Sequence, residues 1–139
     1  MLSTAGAKSP LIRAFMPQRT LSTAYLQATQ VWLNEVKDKF EIIALILKYS
    51  KKYNVDFELA FSLADFESNL DPKAANPKST AKGIYQWLDQ SWAENCEGNP
   101  YDAEDNIKCS IRVISEGGIR HWTADLNTRK FLNDNGYIK

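Results

Sequence analysis

Between Pro17 and Pro72 the chain contains neither glycine nor proline. A stretch of that length without breakers disfavours short strands joined by tight turns and predicts helices. Leu21, Ala24, Tyr25, Ala28, Trp32 and Val36 recur at three- and four-residue steps. That is the period of an amphipathic helix, with Thr20 and Ser22 as its two cap candidates. Phe40, Ile43, Ala44 and Leu47 carry the period onward, and Ile42, Ile46 and Tyr49 widen the face toward packing on more than one side. The segment "KKYNVD" predicts a break. Asp56 then caps a helix over Phe57 to Glu67, which Pro72 and Pro77 end before opening a loop.

Past that loop the spacing predicts a short helix over Tyr85 to Trp92. "NPYDAEDNI" reads as a turn and a helix start, with acids at the positive end of the dipole. Ile107, Ile111 and Ile114 mark a helix that Gly117 and Gly118 stop. No alternating strand pattern stands out, although the Lys73 to Gly83 loop has room for a small hairpin. The predicted class is all-α. At 139 residues and 44% hydrophobic composition the chain supports one core. We assign it to a single domain over 20–139, preceded by a basic segment, 1–19, that is flexible or targeting.

Lys8, Arg13 and Arg19 all precede the first acid, Glu35. A Ser/Thr-rich, acid-free beginning fits both a plain basic tail and an organellar transit segment. Lys plus Arg balance Asp plus Glu at 17 each, so no net charge draws nucleic acid or an anionic membrane. No apolar run reaches bilayer length. Cys96 and Cys109 are spaced for one disulfide, which would imply an oxidising compartment, or stand as two buried thiols. Two cysteines do not make a zinc site, and His121 is not spaced to help; no metal or cofactor is implied. The apolar face from Tyr25 to Val36 is a candidate docking surface for a protein partner.

Glu67 is the candidate for chemistry. At about 100° per residue, Ala60, Leu63 and Ala64 fall within about 60° of its direction, while Glu58 and Asp65 point the opposite way. A carboxyl on an apolar stripe, in the last turn of its helix, is both desolvated and near the negative end of the dipole. Both effects keep it protonated toward neutral pH, as a general acid requires. The competing reading is a frayed helix end with Glu67 turned to water.

The stretch "ESNLDPKA", followed by "AKGIYQW", resembles the Glu-Ser and Gly-x-x-Gln motifs of lytic transglycosylases, which group with goose-type lysozymes in the lysozyme-like superfamily. "IIALILKYSKKYNVDFELAFSLADFES" is similar to the helix leading to that family's catalytic Glu, and "DAEDNIKCSIRVISEGG" to its Asn-Ile helix. The resemblance covers Phe40 to Trp122. It implies a lysozyme-like α-helical domain acting on peptidoglycan glycan strands, in the cell envelope or outside the cell. Glu67 would be the catalytic acid and Ser68 its orienting neighbour. Gly83 and Gln86 would form the substrate loop, with Tyr85 and Trp87 beside them. Asn106 would cap the following helix or touch substrate.

The family's mechanism needs one carboxyl group. The acid protonates the bridging oxygen of a β-1,4 bond after N-acetylmuramic acid, then takes the proton of the sugar's own 6-hydroxyl, leaving a 1,6-anhydro end. A hydrolytic rival would need a second carboxylate about 5–5.5 Å away if retaining, or about 6.5–9.5 Å if inverting. Asp89 is the candidate for it, ahead of Asp71 and Asp102. The Ala-Tyr-Asn-Ala-Gly segment common in the family is absent, and "SEGGIRHW" stands at that stage. Tyr85 and Tyr101 are the candidates to supply a phenol instead. Trp87 is the candidate for stacking on a sugar, whereas Trp92 reads as core. A third reading, a non-catalytic glycan-binding module or structural subunit, follows from the missing Tyr segment and the N-terminal amphipathic helix.

Overall fold

The structure, a computed structural model, describes residues 22–139. Five α-helices and one 3-10 helix follow in order: α1 Thr23–Tyr53, α2 Phe57–Ser68, α3 Asp89–Asn95, α4 Ala103–Ser115, the 3-10 helix Gly118–Trp122, and α5 Leu126–Asp134. The class is all-α, as the breaker-free sequence predicts. The basic segment 1–19 and Leu21 lie outside the described residues.

The chain divides into two units, one reaching Glu35 and the other Val36–Lys139. In the first, the described residues are the opening turns of α1, where Ser22 Oγ accepts the Tyr25 N–H at 3.2 Å. Ser22, of the two cap candidates, is therefore the one that fits. Tyr25, Leu26, Val31, Trp32 and Leu33 are all exposed there.

The second unit holds the core, and every residue of its buried cluster lies between Ile42 and Leu132. The two apolar stretches read from the sequence are one continuous helix, since nothing between Val36 and Phe40 interrupts the backbone. Its buried residues are Ile42, Ile46, Tyr49 and Ser50. This corrects the expected stripe: Phe40 is 68% exposed and Leu47 is also exposed. Both facial sets have helical period, and only tertiary packing selects between them.

Asp56 caps α2 as expected, accepting the Glu58 N–H at 3.0 Å. After Ser68 the chain reverses through two left-handed residues, Asn69 and Leu70, at φ 53° and 62°. The Asn69 N–H closes the helix onto Asp65 O, and Leu70 is driven into the core. The loop that follows contains no strand among the described residues. Two isolated antiparallel bridges, Ala75 with Lys82 and Lys82 with Trp87, stand where a small hairpin was expected.

The short helix begins at Asp89 rather than Tyr85. Gln86 sits at φ 53°, outside helical space, and its N–H turns back onto Gly83 O, so Tyr85 to Leu88 are spent on a turn. Asp102 caps α4 by accepting the Asp105 N–H at 2.9 Å, and Gly117 at φ 85° follows its end. Among the described residues no helix is long and apolar enough to cross a membrane.

Aromatic rings fill the middle of the core. Trp87 meets Trp122 and Trp92 edge-on, at centroid distances of 5.2 and 6.0 Å, and Tyr85 meets Trp122 likewise at 6.1 Å. Each polar edge is satisfied, which burial demands. The indole N–H groups of Trp87, Trp92 and Trp122 donate to Ser110 Oγ, Gly98 O and Tyr85 O, and the Tyr85 hydroxyl donates to Ala60 O. Cys96, at the end of α3, is joined in a disulfide to Cys109 on α4, with Cα atoms 5.7 Å apart.

Candidate active site

Glu67 lies in the final turn of α2, which continues one residue beyond it. The buried residues of α2 are Ala60, Leu63 and Ala64, the three that share its direction by helical phase, while Glu58 and Asp65 are exposed. The helix therefore does not fray before Glu67, and its side chain is carried along the apolar stripe into partial burial. From the other side α5 closes on it. Phe66 stacks on Phe131 at 4.4 Å, and the Thr128 hydroxyl lies 2.8 Å from Glu67 Oε1.

These surroundings set the proton affinity of the carboxyl. Burial pushes it up from the ordinary 4.5 to about 7. The Thr128 hydroxyl, which favours the ionised form, pulls it partly back, and the negative charge of Asp125 adds to the rise. The two oxygens differ. Oε1 is held by Thr128. Oε2 accepts no hydrogen bond from the described residues, and it is not fully buried: the fully buried, unpartnered side-chain polar atom among them is Ser50 Oγ.

The other residues singled out by sequence fall into two groups. Ser68, beside Glu67, is partly buried, and its hydroxyl donates to Ala64 O, one turn back, rather than to the acid. Gln86 is also partly exposed; its Nε2 donates to Gly83 O and Ala74 O, leaving Oε1 unengaged and reachable from solvent. Gly83, Tyr85, Trp87 and Asn106 are buried. Asn106 accepts the Tyr85 N–H at 3.1 Å and donates to Pro100 O at 2.8 Å, so it staples the 83–86 turn to α4. It caps no helix, since Asp102 does that. A Cβ on Gly83 would come within 2.1 Å of Pro100 O and 2.4 Å of Asn106 Nδ2, so only glycine lets the turn approach that staple. Trp87 is 3% exposed with its N–H on Ser110, so little of its ring faces solvent where stacking on a sugar was expected.

Asp89 is the first residue of α3, where its carboxylate pairs with Lys82 at 2.5 Å; it shares no hydrogen-bond partner with Glu67. The carboxylate that the fold does bring to Glu67 is Asp125, through Thr128. Tyr85 does not offer its phenol to the site either, because its hydroxyl is buried on Ala60 O. The sequence reading missed Thr128 and Asp125 along with all of α5. The signal was present: Asp125 is a good N-cap, Thr128 stands three residues on, and Gly136 is placed to stop the helix. Among the described residues no group of three or more His, Cys, Asp or Glu side chains could hold a metal ion. A cleft of about 480 Å³ surrounds the disulfide and includes none of these site residues.

The all-α unit thus carries one half-shielded carboxyl at the end of a capped helix, and the Gly-x-x-Gln turn is tied to that helix through the Tyr85 hydroxyl on Ala60 O. The Transglycosylase SLT domain family matches residues 44–117, more than half of the chain, and this span holds Glu67, Ser68, Gly83, Gln86 and Asn106. The chain belongs to that family, which is of the peptidoglycan lytic transglycosylase type. No curated protein and no solved structure matches it. Thr128 and Asp125 lie beyond the matched span.

Proposed function

We propose that the protein cleaves β-1,4 glycosidic bonds in peptidoglycan glycan strands, with Glu67 as a lone general acid–base, and releases 1,6-anhydro ends. The observation that carries this reading is the carboxyl itself: held toward neutrality by burial, anchored at Oε1, and with Oε2 unpartnered among the described residues and not fully buried. A group that titrates near neutral pH can give a proton to the bridging oxygen and then take one from the sugar's 6-hydroxyl. The sugar's 2-acetamido group would help to stabilise the cationic centre between the two steps.

The state of the other carboxylates supports transglycosylation over hydrolysis. Asp89 is neutralised by Lys82, and Asp125 is engaged as the cap of α5. Among the residues assigned to substrate, Ser68 and Gln86 are the partly exposed ones, and Gln86 Oε1 is an acceptor suited to a sugar hydroxyl or acetamide N–H. The buried four act by holding the turn. Such activity places the protein at the cell envelope or outside the cell, and the disulfide agrees with an oxidising compartment.

Digestion of isolated sacculi followed by muropeptide analysis tests the proposal. Anhydro ends are expected, and reducing ends would favour the hydrolytic reading instead. Glu67→Gln is expected to lower the rate by roughly 10²- to 10⁴-fold. Undiminished cleavage by that variant would remove Glu67 from the mechanism.

A further inference from the structure

Thr128 is 2% exposed, and its hydroxyl stands between two carboxylates, 2.8 Å from Glu67 Oε1 and 3.2 Å from Asp125 Oδ1. A hydroxyl owns one proton and can donate to only one of these oxygens at a time. Asp125 Oδ1 also accepts the Thr128 N–H at 2.9 Å, so it keeps a partner when the hydroxyl turns away. Glu67 Oε1 has no other donor among the described residues. We propose that Thr128 is a positioning residue that divides the work of Glu67 between its two oxygens. By donating to Oε1 it makes Oε2 the oxygen that delivers and recovers the catalytic proton. This rests on the reading of Glu67 as the general acid–base.

The proton balance follows. In the first step the Oε2–H bond breaks as the bridging oxygen takes the proton and parts from the anomeric carbon. In the second, the 6-hydroxyl gives its proton to Oε2 as its oxygen bonds to that carbon, and Glu67 is neutral again. Between the steps Glu67 is ionised, and the bond from Thr128 is then strongest. A proton sitting on Oε1 would instead point at Thr128 Oγ1, away from substrate, and the hydroxyl would turn to Asp125. Asp125 is the one charged side chain among the described residues whose field acts on Glu67; Glu58 and Asp65 on its own helix are exposed and face away, and Arg129 on α5 is exposed.

The full-length chain with Thr128→Val, Thr128→Ala and Thr128→Ser provides the test. Two readouts are needed: sacculus cleavage, and the titration midpoint of Glu67 followed by carbon-13 NMR of labelled glutamate. For Thr128→Val, or for Thr128→Ala should the valine variant not fold, cleavage is expected to fall on the order of tenfold to a hundredfold. The midpoint is expected to rise by about one pH unit, since the donor to the ionised form is gone. Thr128→Ser is expected to restore both. An unshifted midpoint overturns the inference whatever the rate does, and so does a serine variant as impaired as the valine one, because packing alone would then account for the loss. Glu67→Gln separates the layers: if it is inactive while Thr128→Val is normal, this inference fails alone, and if it cleaves normally the reading beneath it fails.

Discussion

At the scale of a residue, burial of the Glu67 carboxyl weakens the fold that carries it. Glu67 ionises near 4.5 in the unfolded chain and near 7 in the folded one. Between those values the folded state binds the extra proton, so stability falls as pH rises through the window. Below it both states are protonated and no penalty exists; above it the penalty is complete, on the order of 3 kcal/mol. Glu67→Gln keeps the shape and removes the charge. It is therefore expected to unfold at higher urea than the parent at pH 8, with the difference closing by pH 4. A gap that does not change with pH would mean that Glu67 is less shielded than its place on the stripe requires. Over the same window the parent should lose cleavage activity as pH passes 7, because the acid form disappears.

At the scale of an element, the turn from Gly83 to Gln86 is a rigid insert, and its motif reads as geometry before chemistry. Gly83→Ala would press a methyl against Pro100 O, a backbone atom that cannot swing aside, at a positive φ of 75°. The expected cost is about 3 kcal/mol or more, measured by denaturant unfolding. Gly136 has the same φ but nothing within 4 Å of its missing Cβ, so Gly136→Ala should cost only about 1 kcal/mol. Equal costs would show that backbone conformation alone, not the staple, demands glycine at 83. This distinction also marks what sequence could reveal. The stripe of Ala60, Leu63, Ala64 and Glu67 was legible because a helix fixes side-chain direction locally. Asp56, Ser22 and Gly117 were legible for the same reason, as capping is a short-range effect. The burial of Trp87 and the partnership of Glu67 with Thr128, 61 positions away, were not, because both depend on which helices pack together. The helical period of α1 likewise admitted two faces, and only packing into the core selects Ile42, Ile46 and Tyr49, the last of which donates to Glu104 of α4 at 2.6 Å.

At the scale of the whole molecule, the candidate site and the core coincide in one unit. Each buried residue of the cluster, the disulfide, Glu67 and the α5 contacts all fall within Val36–Lys139. The described turns of α1 before Val36 add no buried residue to it, and their apolar side chains face solvent. Such a set is more exposed apolar surface than a helix needs for its own stability, since an isolated helix gains little from it in water. A chain beginning at Val36 is accordingly expected to give the same near-ultraviolet circular dichroism from its buried Trp87, Trp92 and Trp122 as the full chain. It is also expected to digest sacculi at a rate within about twofold, a change of under 0.5 kcal/mol in the barrier. Loss of that fixed aromatic environment on truncation would instead tie the first turns of α1 to the fold, and their exposed face would need a structural explanation. A folded but inactive fragment would place substrate binding, rather than partner docking, on Tyr25 to Val36.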